Sequence, residues 1–151
     1  MARDKQYMSV DHAPPHSYGD CHRACIATML SLPIEDVPHF AFDGPDGKTF
    51  HRRVDDFLAS RGLAVVSVPY DKSATLAQVL DCVAAQTPGL IFMVGGLSES
   101  GASHTCIYRG KHLWHDPRPN GEGIIGPCPS TDHYWVEWLV PLAIHSMEAE
   151  S

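Results

Sequence analysis

The sequence lacks long apolar runs and has few basic residues. The longest predominantly apolar stretch, residues 89–97, spans nine residues and includes three glycines, which is too short to cross a bilayer. Lysine and arginine total 11 against 18 aspartates and glutamates, so the net charge is −7. An acidic balance disfavours binding to nucleic acid or to an anionic membrane surface. We therefore expect neither of these as a partner.

The first residues also lack the pattern of a secretory signal. Residues 1–10 carry Arg3, Asp4 and Lys5 and no apolar segment. This predicts a cytoplasmic protein, in which thiols stay reduced. The chain has five cysteines, and an odd count fits poorly with a closed disulfide framework. We interpret all five as free thiols.

The length of 151 residues suffices for one domain with its own core. We assign this domain to residues 1–146 and treat residues 147–151 as a flexible tail. Helical spacing of apolar residues predicts helices over 20–32, 48–60 and 75–86. Apolar and β-branched runs predict strands over 63–69, 89–94, 103–108, 111–116 and 133–140. Helices first and strands second indicate an α+β fold, with the helices packed on an antiparallel sheet.

Cys21 is the candidate nucleophile. The segment Gly19-Asp20-Cys21 places its thiol in the first turn of the first predicted helix. Unpaired N–H groups and the helix dipole stabilise negative charge at this end, and the thiolate is the reactive form of cysteine. Because a thiolate also needs a proton acceptor and donor, a histidine must be found elsewhere in the chain.

His104 is the candidate base, since it opens a predicted strand next to a glycine-containing loop. Asp116 follows 12 residues later, on the second strand of a predicted hairpin. Neighbouring strands lie about 5 Å apart, so the carboxylate can accept the second imidazole N–H and fix the orientation of the ring. The sequence therefore predicts a Cys-His-Asp triad.

A cysteine that opens the first helix, a histidine that opens a later strand and an aspartate before a proline occur here in that order. This order resembles the papain-like cysteine peptidases, and most of all their compact C39-like type in uncharacterised phage and bacterial proteins. The segments that carry the resemblance are 19–30, 32–40, 115–119 and 135–141. The resemblance implies a papain-like fold and cleavage of a peptide or amide bond through an acyl-enzyme. It implies a peptide or protein substrate and neither a metal nor another cofactor.

The sequence departs from this family at the donor to the oxyanion. Papain-like enzymes carry a glutamine a few residues before the cysteine, whereas the nearest one here is Gln6. The backbone N–H of Cys21 supplies one donor, and His12 is our candidate for the second. Trp114 and Tyr18 are our candidates for the wall of the substrate groove.

Three alternatives remain open. The same triad order serves transglutaminases and arylamine N-acetyltransferases, in which an amine accepts the acyl group. A degenerate relative would keep the cleft and bind a peptide or protein without cleaving it. The third alternative is a Zn²⁺ site, whose ligands would be Cys21, Cys25, His104 and Cys106. The sequence contains no C-x₂-C pair and no H-E-x-x-H motif, which disfavours zinc.

The other cysteines fit a structural role better than a chemical one. A cysteine on a helix is usually a small hydrophobic residue of the core. We therefore predict that Cys25, Cys82 and Cys128 are inert, and that Cys106 is a strand residue near the site.

Overall fold

The computed structural model describes residues 17–145, so His12 lies outside the described residues. The helices are α1 (Cys21–Leu30), α2 (Gly47–Ser60) and α3 (Leu76–Gln86), and a 3₁₀ turn spans Ile34–Asp36. The strands are β1 (Leu63–Asp71), β2 (Ile91–Leu97), β3 (Ser103–Arg109), β4 (His112–His115) and β5 (His133–Pro141). The predicted α+β class is confirmed.

Side-chain caps fix the starts of two helices. Asp46 accepts a 2.7 Å hydrogen bond from the backbone N–H of Thr49 and so caps α2. Thr75 and Gln78 form the full capping box of α3. By contrast, the Asp20 side chain makes no capping hydrogen bond at the start of α1. The first turn of α1 is closed by the backbone, because the Ala24 N–H donates to the Asp20 carbonyl oxygen over 2.9 Å.

The five strands form one antiparallel sheet in the order β1-β5-β2-β3-β4. The predicted hairpin is present, because β3 pairs with β4 across the Gly110 turn. The last strand of the chain lies between β1 and β2 and pairs with both. A register shift in the pairing of β3 with β4 falls between Ile107 and Tyr108.

Strand alternation creates one core on each face of the sheet. Met93 and Ile107 belong to the core that α1 and α2 cover. Phe92 and Tyr108 belong to the core that α3 covers. Within residues 17–145, no helix has both the length and the apolar character that crossing a membrane requires.

Candidate active site

Helix α1 is held against β3, and this contact sets the position of Cys21. Cys25 donates from Sγ to the carbonyl oxygen of Thr105 over 3.4 Å. One turn earlier, His22 Nδ1 lies 3.4 Å from Thr105 Oγ1. These contacts anchor the helix where β3 begins. Cys21, the first residue of the helix, is consequently half-buried beside the start of that strand.

His104 and Asp116 form a buried pair at the same place. Nε2 of His104 lies 2.7 Å from Oδ1 of Asp116, and each residue is only 6% exposed. The carboxylate also accepts the backbone N–H of Arg118 at Oδ1 and that of Gly123 at Oδ2, both over 2.9 Å. Three hydrogen bonds therefore fix the carboxylate, and the carboxylate fixes the histidine ring.

The loop after β4 leaves no room for a side chain beside this carboxylate. A Cβ atom added at Gly121 would lie 2.1 Å from Oδ2 of Asp116. Glycine at this position lets the loop close over the carboxylate, so its backbone N–H groups reach both oxygens. Apart from His104, the groups that contact the Asp116 carboxylate therefore belong to the loop that directly follows it.

Cys21 completes the group from the other side of the histidine. Its thiol interacts with the His104 ring and contributes to the raised pKa of that histidine, and both residues line the same cavity. Because Nε2 of the ring faces Asp116, Nδ1 is the nitrogen left for the thiol. The structure thus brings together the three residues that the sequence singled out, in the order thiol, imidazole, carboxylate.

His104 and Asp116 each favour the charged form of the other. Burial alone would lower the pKa of His104, but the hydrogen bonds and charges of Asp116 and Cys21 outweigh it and raise the pKa to about 9. Burial opposes ionisation of Asp116, yet the hydrogen bond and charge of His104 and the two backbone N–H groups hold its pKa below the usual value. The pair is therefore imidazolium and carboxylate at neutral pH.

The two buried cysteines nearby are poor nucleophiles by comparison. Burial raises the pKa of both the Cys25 and the Cys106 thiols. Among the described residues, His104, Cys106 and Asp116 form a group whose potential metal-ligand atoms lie within 4.8 Å of one another. A metal ion there would have to break the His104–Asp116 hydrogen bond and ionise the Cys106 thiol. This group differs from the zinc alternative considered from the sequence, whose ligands were Cys21, Cys25, His104 and Cys106.

Cys21 and His104 open into a cavity of about 750 Å³. Its walls come from the start of α1, from α2 and from the inner strands, and include Phe50, Trp135 and Glu137. The catalytic candidates thus face a space large enough for part of a substrate.

The two residues expected in the groove wall, Trp114 and Tyr18, do not line this cavity. Trp114 lies on edge strand β4 and packs against the core that α1 and α2 cover. The Tyr18 ring packs edge-on against Phe42, and its carbonyl accepts a 3.1 Å hydrogen bond from His39. Trp135 is the tryptophan that lines the cavity wall among the described residues.

Cys128 also differs from its prediction as an inert core residue. It is half-exposed and lines the cavity. Burial opposes its ionisation, but hydrogen bonds to the Ser103 and Ser130 hydroxyls, 3.3 and 3.4 Å from Sγ, lower its pKa. Labelling experiments must therefore distinguish this thiol from Cys21.

No family model, no curated protein and no solved structure matches the chain. The functional interpretation consequently rests on the site itself.

Proposed function

We propose that the protein is a papain-like cysteine hydrolase that cleaves a peptide or amide bond. The observation that carries this proposal is the buried hydrogen bond of His104 to Asp116, beside a half-buried Cys21 whose thiol interacts with the same imidazole ring. The site opens into a cavity of about 750 Å³, which gives a substrate access to the thiol.

The geometry assigns a role to each group. The Cys21 thiolate attacks the carbonyl carbon, and the carbonyl oxygen becomes an oxyanion near the backbone N–H of Cys21 at the start of α1. His104 donates its Nδ1 proton to the leaving amine as the C–N bond breaks. The acyl group now resides on Cys21 as a thioester. His104 then takes a proton from water, which attacks the thioester and releases the acid and the thiolate.

Asp116 acts through His104 rather than on the substrate. Its hydrogen bond to Nε2 directs Nδ1 toward the thiol and stabilises the imidazolium. The bond is 2.7 Å long and buried, where charge-assisted hydrogen bonds are strong. Asp116 is therefore a positioning residue.

Selective alkylation tests the thiolate directly. Cys82 is a suitable reference inside the same molecule, because it is half-exposed like Cys21 and lies on α3, which covers the other face of the sheet. In a Cys128→Ser background at pH 7, iodoacetamide should modify Cys21 about tenfold faster than Cys82. Peptide mapping by mass spectrometry measures both rates in one sample. Equal rates would contradict an activated thiolate.

Turnover separates hydrolysis from its alternatives. Peptide p-nitroanilides and fluorogenic amides should release their amine with Cys21 intact and not in Cys21→Ala. An added primary amine should not accelerate that release, because water takes the acyl group. Acceleration with formation of a new amide would instead identify an acyltransferase. Tight peptide binding by Cys21→Ala and by the unchanged protein alike, without cleavage, would identify a binding module.

A further inference from the structure

Glu137 interrupts an otherwise apolar pattern on β5. On the face that meets the cavity, its neighbours along the strand are Trp135 and Leu139. Glu137 pairs with Ser67 of β1 and with Met93 of β2, so it stands in the interior of the sheet and not at an edge. It is also half-buried. A carboxylate in this position costs free energy by desolvation unless a partner offsets it.

The described part of the chain offers no such cation. Among residues 17–145, no lysine or arginine lies within ion-pairing distance of the Glu137 carboxylate. Arg23 lines the same cavity, but its Nε donates a 2.7 Å hydrogen bond to the carbonyl of Val37. The charges nearest to His22 are those of Glu137 and His51, and burial lowers the His22 pKa. At neutral pH His22 therefore brings no positive charge to Glu137.

The cavity around Glu137 suits a long side chain with a charged end. Val65, Phe50 and Trp135 contribute apolar surface to its walls. Lysine and arginine bury an aliphatic stem on such surfaces while the charged head reaches a polar partner. The Trp135 ring adds a surface that attracts cations. A carboxylate among these apolar walls is therefore complementary to a basic side chain, whose stem packs on the walls while its charge meets Glu137.

We propose that Glu137 is the acidic end of a substrate subsite, and that it binds a lysine or arginine side chain of the peptide attacked by Cys21. This inference rests on the proposed function, since it assigns the substrate class of the same cavity. Glu137 binds and orients the substrate and takes no part in the chemistry. Asp55, which also lines the cavity from α2, adds negative potential.

Charged thiol reagents measure this preference without a known substrate. Cationic trimethylammonium-ethyl and anionic sulfonatoethyl methanethiosulfonates differ mainly in charge. With each, the Cys21 sulfur attacks the reagent sulfur, forms a mixed disulfide and expels methanesulfinate. For each cysteine we take the rate with the cationic reagent over the rate with the anionic reagent, and we divide the Cys21 value by the Cys82 value. This normalised ratio does not depend on the intrinsic reactivity of either thiol or either reagent, nor on the net negative charge of the protein, which acts on both cysteines. The measurement uses the full chain with Cys128→Ser.

Glu137→Gln removes the charge with little change in shape, and we expect the normalised ratio to fall about fivefold. Asp56→Asn is the matched control, because Asp56 is an exposed residue of α2 that does not line the cavity. It should leave the ratio unchanged. A ratio unaltered by Glu137→Gln, or lowered equally by both variants, would overturn the subsite.

The two proposals fail in different ways. The neutral reagent methyl methanethiosulfonate reports the reactivity of Cys21 irrespective of charge. If Cys21 reacts no faster than Cys82 with this reagent, the hydrolase proposal fails, and the subsite as a substrate site fails with it. If Cys21 is fast but Glu137→Gln leaves the charge preference intact, only the subsite is refuted.

Discussion

Gly121→Ala should damage the site without changing any of its reacting groups. The new methyl carbon would lie 2.1 Å from Oδ2 and 2.4 Å from Cγ of Asp116, whereas real Cβ contacts are essentially never shorter than 3.0 Å. The backbone angle at Gly121 lies outside the left-handed region that favours glycine, so alanine meets no intrinsic strain there. Asp116 or the loop must therefore move by about 1 Å.

The size of the effect follows from what holds the carboxylate. Asp116 accepts hydrogen bonds from His104, Arg118 and Gly123 over 2.7–2.9 Å. Hydrogen bonds to charged groups contribute about 1.5–3 kcal/mol each, and a displacement of this size breaks one or two of them. We expect the free energy of unfolding to fall by about 2–4 kcal/mol. Because the Asp116 contact helps to raise the His104 pKa, that pKa should also fall.

Urea denaturation and the pH dependence of Cys21 alkylation measure the two effects separately. Gly126→Ala is the matched control in the same loop, since its nearest neighbour would be Leu97 at an ordinary 3.6 Å. If Gly121→Ala and Gly126→Ala have the same stability, or if Gly121→Ala leaves the pH profile unchanged, the described packing of Asp116 is wrong.

Three further predictions concern the triad and the frame that supports it. Asp116→Asn should slow Cys21 alkylation at pH 7 about tenfold, because the His104 pKa falls when the carboxylate charge is lost; an unchanged rate would show that the pair does not control the thiol. The raised His104 pKa stabilises the fold fully below pH 6.5, and this stability is lost as pH rises through about 9. Amide hydrolysis should fall over the same range while iodoacetamide alkylation does not, since only hydrolysis needs the imidazolium proton. Thr75→Ala removes one hydrogen bond of the capping box and should lower the free energy of unfolding by about 1 kcal/mol, whereas Ser73→Ala should change it less.

The sequence predicted local structure well and long-range pairing poorly. The apolar spacing over 48–60 and the capping box at Thr75 are local signals, and both helices formed where these signals lie. Hairpin pairing of β3 and β4 depends on a short turn and was also predictable. The insertion of β5 between β1 and β2 depends on how whole faces pack, which no short segment encodes.

The residues of the candidate site also fall into two groups, those with a local sequence signal and those whose position depends on the packing of the whole sheet. Cys21, His104 and Asp116 could be identified because each combines a reactive residue type with a local structural signal. Trp114 was assigned to the groove from its residue type, and it lies on edge strand β4, packed against the core that α1 and α2 cover. Glu137 did carry a signal, namely a carboxylate between aromatic and apolar residues of one strand. The position of Glu137 inside the sheet depends on the two strands that flank β5, and the sequence did not predict those strand pairs.

The position of β5 also has a consequence for biosynthesis. Strands β1 and β2 are not neighbours, and β5 joins them through nine residue pairs with β1 and three with β2. A chain that ends before residue 133 therefore lacks the strand that joins β1 to the β2–β3–β4 part of the sheet. Strand β5, which carries Trp135 and Glu137, is synthesised after the other described strands. Cys21 is therefore synthesised well before Trp135 and Glu137, and the complete cavity forms only after β5 has been synthesised.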